Sequence, residues 1–170
     1  KRGGVIIVNE DAFTELNFKK AGLDSNPLEG PGLDSYEVIK VPITTQTKEA
    51  LKEIDLDVKS KARCKNFYAL GMTYFMYHRE LEPTIRWIEK KFAGKDAIID
   101  ANIMALKSGH NFADTIEVTG NRYRVKAANI EEGTYRQING NTATAWGLIW
   151  AAESAGLGLF LGSYPITPAS

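Results

Sequence analysis

The chain has 170 residues, 44% of them hydrophobic and 25% charged, which is ordinary for a globular protein and excludes a disordered or fibrous one. Lysine plus arginine equals aspartate plus glutamate at 21 each, so no global basic field calls for nucleic acid or an anionic membrane. One cysteine cannot close an internal disulfide or hold an iron–sulfur cluster by itself. Apolar runs such as 157–161 are also far too short to cross a bilayer, so a soluble cytoplasmic protein is expected.

Val5-Ile6-Ile7-Val8 follows Gly3-Gly4 as a continuous β-branched run. That is the pattern of a strand buried on both faces in an α/β sheet, ending at Asn9. Residues 22–34 concentrate turn formers and read as a surface excursion. Tyr36 to Val41 returns to strand composition, closed by Pro42. Beyond Thr47 the pattern becomes helical, with Leu51 and Ile54 inward and Lys48, Glu49, Lys52 and Glu53 outward.

From Lys59 the spacing predicts one longer helix whose stacked face is Ala62, Asn66, Ala69, Leu70, Thr73, Tyr74 and Tyr77. Pro83 suits the first turn of the next helix, with Ile85, Ile88 and Phe92 inward and Gly94 at its end. A further helix shows Ile99, Asn102, Ile103 and Leu106, with Gly109 as a left-handed terminator. Thr115 to Gln137 is polar, holds one short alternating run at Tyr123–Ala127, and reads as a connector. Asn139 or Asn141 can then cap a helix with Ala145, Leu148, Ile149 and Ala152 on one face and Gly156 at its end. Leu157–Leu161 follows as a buried strand.

Several features favour packing over chemistry. His78 and His110 are far apart with no carboxylate or thiolate cluster beside them, and Cys64 reads as an inert small side chain despite Arg63 and Lys65. Lys59, Lys61, Arg63 and Lys65 spread around a helix and form a solvated face. Trp146 and Trp150 are expected to pack, and Asn66 and Asn102 to tie down loop backbone. No Gly-x-Gly-x-x-Gly and no phosphate loop is present.

Tyr164-Pro165-Ile166-Thr167-Pro168 follows the expected strand directly, where open α/β sheets bind ligands, and its two prolines restrict the backbone around Thr167. A strand merely ended by prolines fits the same spacing. Gly162 to Ser170 nevertheless resembles the signature near the start of the alpha domain of 2-oxoacid:ferredoxin oxidoreductases. Ile138-Asn139-Gly140-Asn141, followed by Ala143 and Ala145, is similar to the segment at that domain's first helix. Lys65 to Gly71 and the run Asn102 to Gly109 resemble the later part of the same family's gamma domain. Gamma preceding alpha in one polypeptide is most similar to the alpha subunit of the 2-oxoglutarate type.

The resemblance implies an α/β organisation: residues 1–115 as the C-terminal part of a gamma-type domain, 116–137 as connector, and 138–170 as the first helix–strand unit of a pyrimidine-binding-type domain. Because Lys1 is not an initiator methionine and the chain stops within a motif, it reads as a piece cut at both ends. The implied reaction is coenzyme-A-dependent oxidative decarboxylation of a 2-oxoacid. It uses thiamine diphosphate with magnesium and iron–sulfur clusters, held mainly by other domains or subunits, and ferredoxin as acceptor. The implied partners are a beta subunit, ferredoxin, coenzyme A and a 2-oxoacid, with no nucleic acid and no membrane. Thr167, Ile166 and Tyr164 would contact substrate and Pro165 and Pro168 would lie beside the cofactor, while none of these residues is catalytic or a metal ligand. The competing expectation is a non-catalytic assembly domain, since residues 1–115 show no acid–base, nucleophile or metal constellation.

Overall fold

The computed structural model describes residues 2–116, 123–162 and 164. The chain divides into two compact units, Lys1–Lys126 and Ala127–Ser170. The first is a mixed α/β unit built on a parallel strand pair.

Strand β1, Val5–Asn9, pairs in parallel with β2, Glu37–Val41, in a register that sets Val5 against Glu37 and Asn9 against Val41. A parallel pair needs a crossover, and residues 10–36 supply it. Sequence reading missed its helix α1, Glu15–Ala21. The stop signals are there: the Thr14 hydroxyl accepts from the Asn17 N–H at 3.4 Å, and Gly22 ends the helix at φ 70°. The 22–34 excursion contains one short 3-10 turn, Pro31–Leu33. Burial on both faces is not what β1 shows. All five residues are half-buried, because among the described residues the sheet has two strands and β2 alone flanks β1.

Helix α2, Ile43–Ala50, begins immediately after Pro42, ahead of the onset expected beyond Thr47, and stops before Ile54. Its early start has a physical cause. Asn9, the last residue of β1, and Asp11 in the turn that follows supply acceptors to the N–H groups of Thr44 and Thr45, which sequence periodicity cannot register.

The long helix expected from Lys59 is two helices, α3 (Val58–Arg63) and α4 (Lys65–Met76), hinged at Cys64. Asp57 caps α3, its Oδ1 accepting from the Lys59 and Ser60 N–H groups at 2.9 and 3.0 Å. Hydrogen bonding from the Ser60 side chain, with that from the Ser60 and Lys59 N–H groups, holds the Asp57 carboxyl below the usual carboxylate range. The expected inner face of α4 is the wrong one. Tyr68, Gly71, Met72, Phe75 and Met76 are buried, whereas Asn66, Thr73 and Tyr77 are exposed. Apolar residues ring this helix almost completely, so periodicity did not choose the face.

The choice is made by the helix at Asp96–Thr115. Helix α5, Glu82–Lys91, has Pro83 in its first turn and buries Ile88, with Gly94 in a left-handed conformation beyond its end, as the sequence pattern indicates. Helix α6, Asp96–Thr115, does not end at Gly109 but runs through it. Ala101, Ala105, Gly109 and Ala113 recur every four residues and all are buried, forming a shallow ridge against which α4 packs. A Cβ on Gly109 would lie 1.9 Å from the Tyr68 carbonyl oxygen, and one on Gly71 would lie 2.0 Å from that of Leu106. Each helix thus presents a glycine to the other's backbone.

Asn102, buried among these residues, donates from Nδ2 to the Ile98 carbonyl of its own helix at 2.8 Å rather than to a loop. Cys64 and Tyr68 belong to the same core. Burial pushes the Cys64 thiol up and the Tyr68 phenol up to about 12.

A raised folded-state pKa favours the proton-bound form, so the stability tied to Tyr68 is fully present below the unfolded phenol value near 10 and is lost as pH rises towards about 12. Urea unfolding should therefore show wild type weakening relative to Tyr68→Phe above pH 10, with a constant difference between them below it. A difference that stays constant to pH 12 would contradict the burial assigned to this phenol.

The second unit contains α7, Gly140–Ala155. It starts and stops where the sequence indicates. The Asn139 Oδ1 accepts from the Thr142 N–H at 2.8 Å, and Gly156 closes the helix at φ 65°. Leu157–Leu161 is not a strand: it has no regular structure and is exposed, Phe160 to 91%. A strand exists only by pairing its backbone with a neighbour, and no described residue of this unit offers one.

Candidate functional site

Two places were open to chemistry, the carboxyl ends of the parallel strands and the segment after α7. At the first, α2 begins directly beyond β2 with its N–H groups free to attract an anion. The chain fills that position itself. The Thr45 N–H donates to Asp11 Oδ2 at 2.8 Å and the Thr45 hydroxyl to Asp11 Oδ1 at 2.9 Å. Beside them the Asn9 amide donates to the Thr44 hydroxyl at 2.9 Å, and its oxygen accepts from the Thr44 N–H at 3.3 Å. The carboxylate already compensates the positive end of the helix, so this strand edge is a structural joint. Nothing local foretold it: Asp11 and Thr45 are 34 residues apart.

At the second place, Asn139 orients the first turn of α7, and Tyr164, beyond the exposed 157–162 segment, is itself 82% exposed. Pro165, Ile166, Thr167 and Pro168 lie outside the described residues. Trp146 and Trp150 do not pack as expected. They are 49% and 72% exposed, and the Arg136 guanidinium lies 6.0 Å from the Trp146 ring centre. Apolar side chains lie on more than one face of α7 itself, with Leu148 and Ile149 exposed beside the tryptophans. Such a helix is suited to the interior of a domain.

The remaining polar groups have structural duties. His78 takes a positive φ of 49° to terminate α4, its N–H donating to Phe75 O at 3.2 Å and that of Arg79 to Tyr74 O at 2.9 Å. His110 meets the Phe75 ring edge-on at 5.3 Å. Tyr123 stacks on Tyr77 at 5.1 Å and donates its N–H to Met76 O at 2.8 Å, which brings Arg124 beside Arg79 around a surface hollow at the end of α4. Sequence reading did not bring these arginines together, since their proximity depends on that long-range tie. Lys59 and Lys65 are solvated as expected, while Lys61 reaches back to the Lys52 carbonyl at 3.2 Å.

Among the described residues no three His, Cys, Asp or Glu side chains gather to hold a metal ion, and the cysteine is buried. No step through a bound cofactor is assigned to these residues. No helix among them is long and apolar enough to cross a membrane.

Residues 1–112 match the pyruvate ferredoxin/flavodoxin oxidoreductase family. Over 168 residues, 99% of the chain, it is 48% identical to the 2-oxoglutarate oxidoreductase subunit KorA of Mycobacterium tuberculosis (strain ATCC 25618 / H37Rv), of whose length it spans 26%. No solved structure matches it. The chain belongs to the pyruvate ferredoxin/flavodoxin oxidoreductase family.

Proposed function

We propose, with that membership as premise, that this chain works within the alpha subunit of a 2-oxoacid:ferredoxin oxidoreductase of the 2-oxoglutarate type. The enzyme oxidatively decarboxylates the oxoacid with coenzyme A and passes the electrons to ferredoxin in a reducing cytosol. The observation that carries this reading is the 48% identity to a 2-oxoglutarate oxidoreductase subunit, because it extends over 99% of the chain and not only over the family-matched part. Residues 1–115 then serve as a gamma-type domain, 116–137 as connector, and 138–170 as the opening of the cofactor-facing domain. The all-round apolar character of α7 supports the last assignment, since it suits a helix that other layers of an α/β domain cover.

In this reading thiamine diphosphate with magnesium and the iron–sulfur clusters reside mainly in other domains and in a beta subunit. When bound, the thiamine supplies carbanion stabilisation. This chain's share is to position substrate: Thr167 donates a hydrogen bond to the oxoacid carboxylate, Tyr164 and Ile166 shape the pocket, and Pro165 and Pro168 hold the loop beside the cofactor.

In the assembled complex, Thr167→Val should raise the Michaelis constant for the oxoacid about tenfold or more, as loss of a hydrogen bond to a charged group implies, while thiamine diphosphate affinity is unchanged. Steady-state kinetics with unaltered constants would remove Thr167 from the site.

An assembly role for residues 1–115 is favoured by one observation, the closure of the strand edge by Asp11 and Asn9. It is compatible with the enzyme reading, which asks this domain for contacts and not for bond-making.

A further inference from the structure

Where α3, α4 and α6 meet the end of α5 there is a cavity of about 290 Å³, close to the lower end of small-molecule pockets. Leu56, Phe67, Phe92 and Ile98 line its walls, so most of the surface it offers is apolar. Arg63 and Lys95, both exposed, stand on its lining, and neither is in an ion pair among the described residues. Two cations with no carboxylate in the lining leave an uncompensated positive field above an apolar floor.

The decisive group is Asn102, only 5% exposed yet part of the lining. Its Nδ2 is committed to Ile98 O, and its Oδ1 accepts no hydrogen bond from any described residue. No sealed side-chain oxygen or nitrogen among the described residues lacks a partner. The oxygen is therefore reached from outside, and the cavity is where the side chain meets solvent. A buried amide turned on an apolar pocket fixes ligand orientation, because a partner lacking a donor leaves it unpaired.

We propose that this cavity binds a small amphipathic organic anion: an apolar, ring-sized body between Phe67 and Phe92, an anionic end held by Arg63 and Lys95, and a hydroxyl or amide N–H donating to Asn102 Oδ1. The proposal is independent of the redox reading, since it draws only on residues of the first unit and involves no covalent step. Cys64, which lines the same cavity, is the chain's single cysteine and reports occupancy without a label of its own.

The test uses the full chain and 3-(4-hydroxyphenyl)propanoate as probe, followed by calorimetry and by the rate at which methyl methanethiosulfonate modifies Cys64. Saturating probe should slow modification at least about fivefold by filling the cavity in front of the thiol. Removing the hydroxyl (3-phenylpropanoate) should weaken binding at least about fivefold, as should removing the carboxylate (4-propylphenol). Arg63→Gln and Lys95→Gln, both at exposed positions where folding is not at risk, should each weaken the probe at least about threefold without affecting 4-propylphenol. No binding at millimolar probe, an unchanged modification rate, or equal affinities across the ligands and variants would each overturn the site.

Discussion

Gly109→Ala and Gly71→Ala should each destabilise the first unit by about 3 kcal/mol or more, near the upper end for overpacking a core. The sign is the informative part. In an exposed helix interior, replacing glycine by alanine stabilises by about 1 kcal/mol, and both positions are helical. Here the added methyl would sit 1.9 Å from Tyr68 O in one case and 2.0 Å from Leu106 O in the other. Both obstacles are backbone, so neither can turn aside as a side chain would. Relief requires α4 and α6 to separate, which would loosen the ridge of Ala101, Ala105 and Ala113 as well.

Gly147, within α7, has nothing within 4 Å of a built Cβ. Gly147→Ala should therefore stabilise that helix by about 0.5–1 kcal/mol. Urea unfolding of the three variants checks the contrast. Losses below about 1 kcal/mol at Gly71 and Gly109 would mean that the helices are not in backbone contact.

These two glycines also show what the sequence could and could not tell. Gly109 after an apolar run looks like a helix terminator, and glycine is equally suited to close packing; only the partner helix separates the two uses. The same ambiguity misplaced the inner face of α4, where nearly every side of the helix is apolar. Local signals were read correctly where they were self-contained, as with Asn139 and Gly156 at the ends of α7 and Pro83 at the start of α5. They failed where a distant residue decides, as with Asp11 and Asn9 starting α2 early or a strand expected at 157–161 without a neighbour. The Thr14 cap and Gly22 stop of α1 were legible and were passed over.

For the site, the Tyr164–Pro168 motif was legible as a motif, but Tyr164 alone falls within the described residues. The Asn102 cavity was not legible at all. Its cations, aromatic walls and buried amide come from three helices and the α5–α6 connection, and each alone reads as ordinary surface or core.

The second large effect concerns the reaction. An enzyme of the proposed type needs both the oxoacid and coenzyme A before electrons leave, so omission of either should reduce turnover to background. Preference for 2-oxoglutarate over pyruvate should reach about 100-fold or more in kcat/KM. A site built to pair a second carboxylate discriminates strongly against a substrate lacking it, because its own polar groups are then left unpaired. Because the chain spans 26% of its curated relative, the proposed activity is to be measured on the longer polypeptide in its complex.

The most direct measurement is therefore made on the full-length polypeptide carrying this chain, assembled with its beta subunit and loaded with clusters and thiamine diphosphate. Reduction of a low-potential viologen dye is followed with 2-oxoglutarate or pyruvate, with and without coenzyme A. The account predicts dye reduction that requires coenzyme A and strongly prefers 2-oxoglutarate; absence of any 2-oxoacid-dependent reduction by the intact, loaded complex would contradict it.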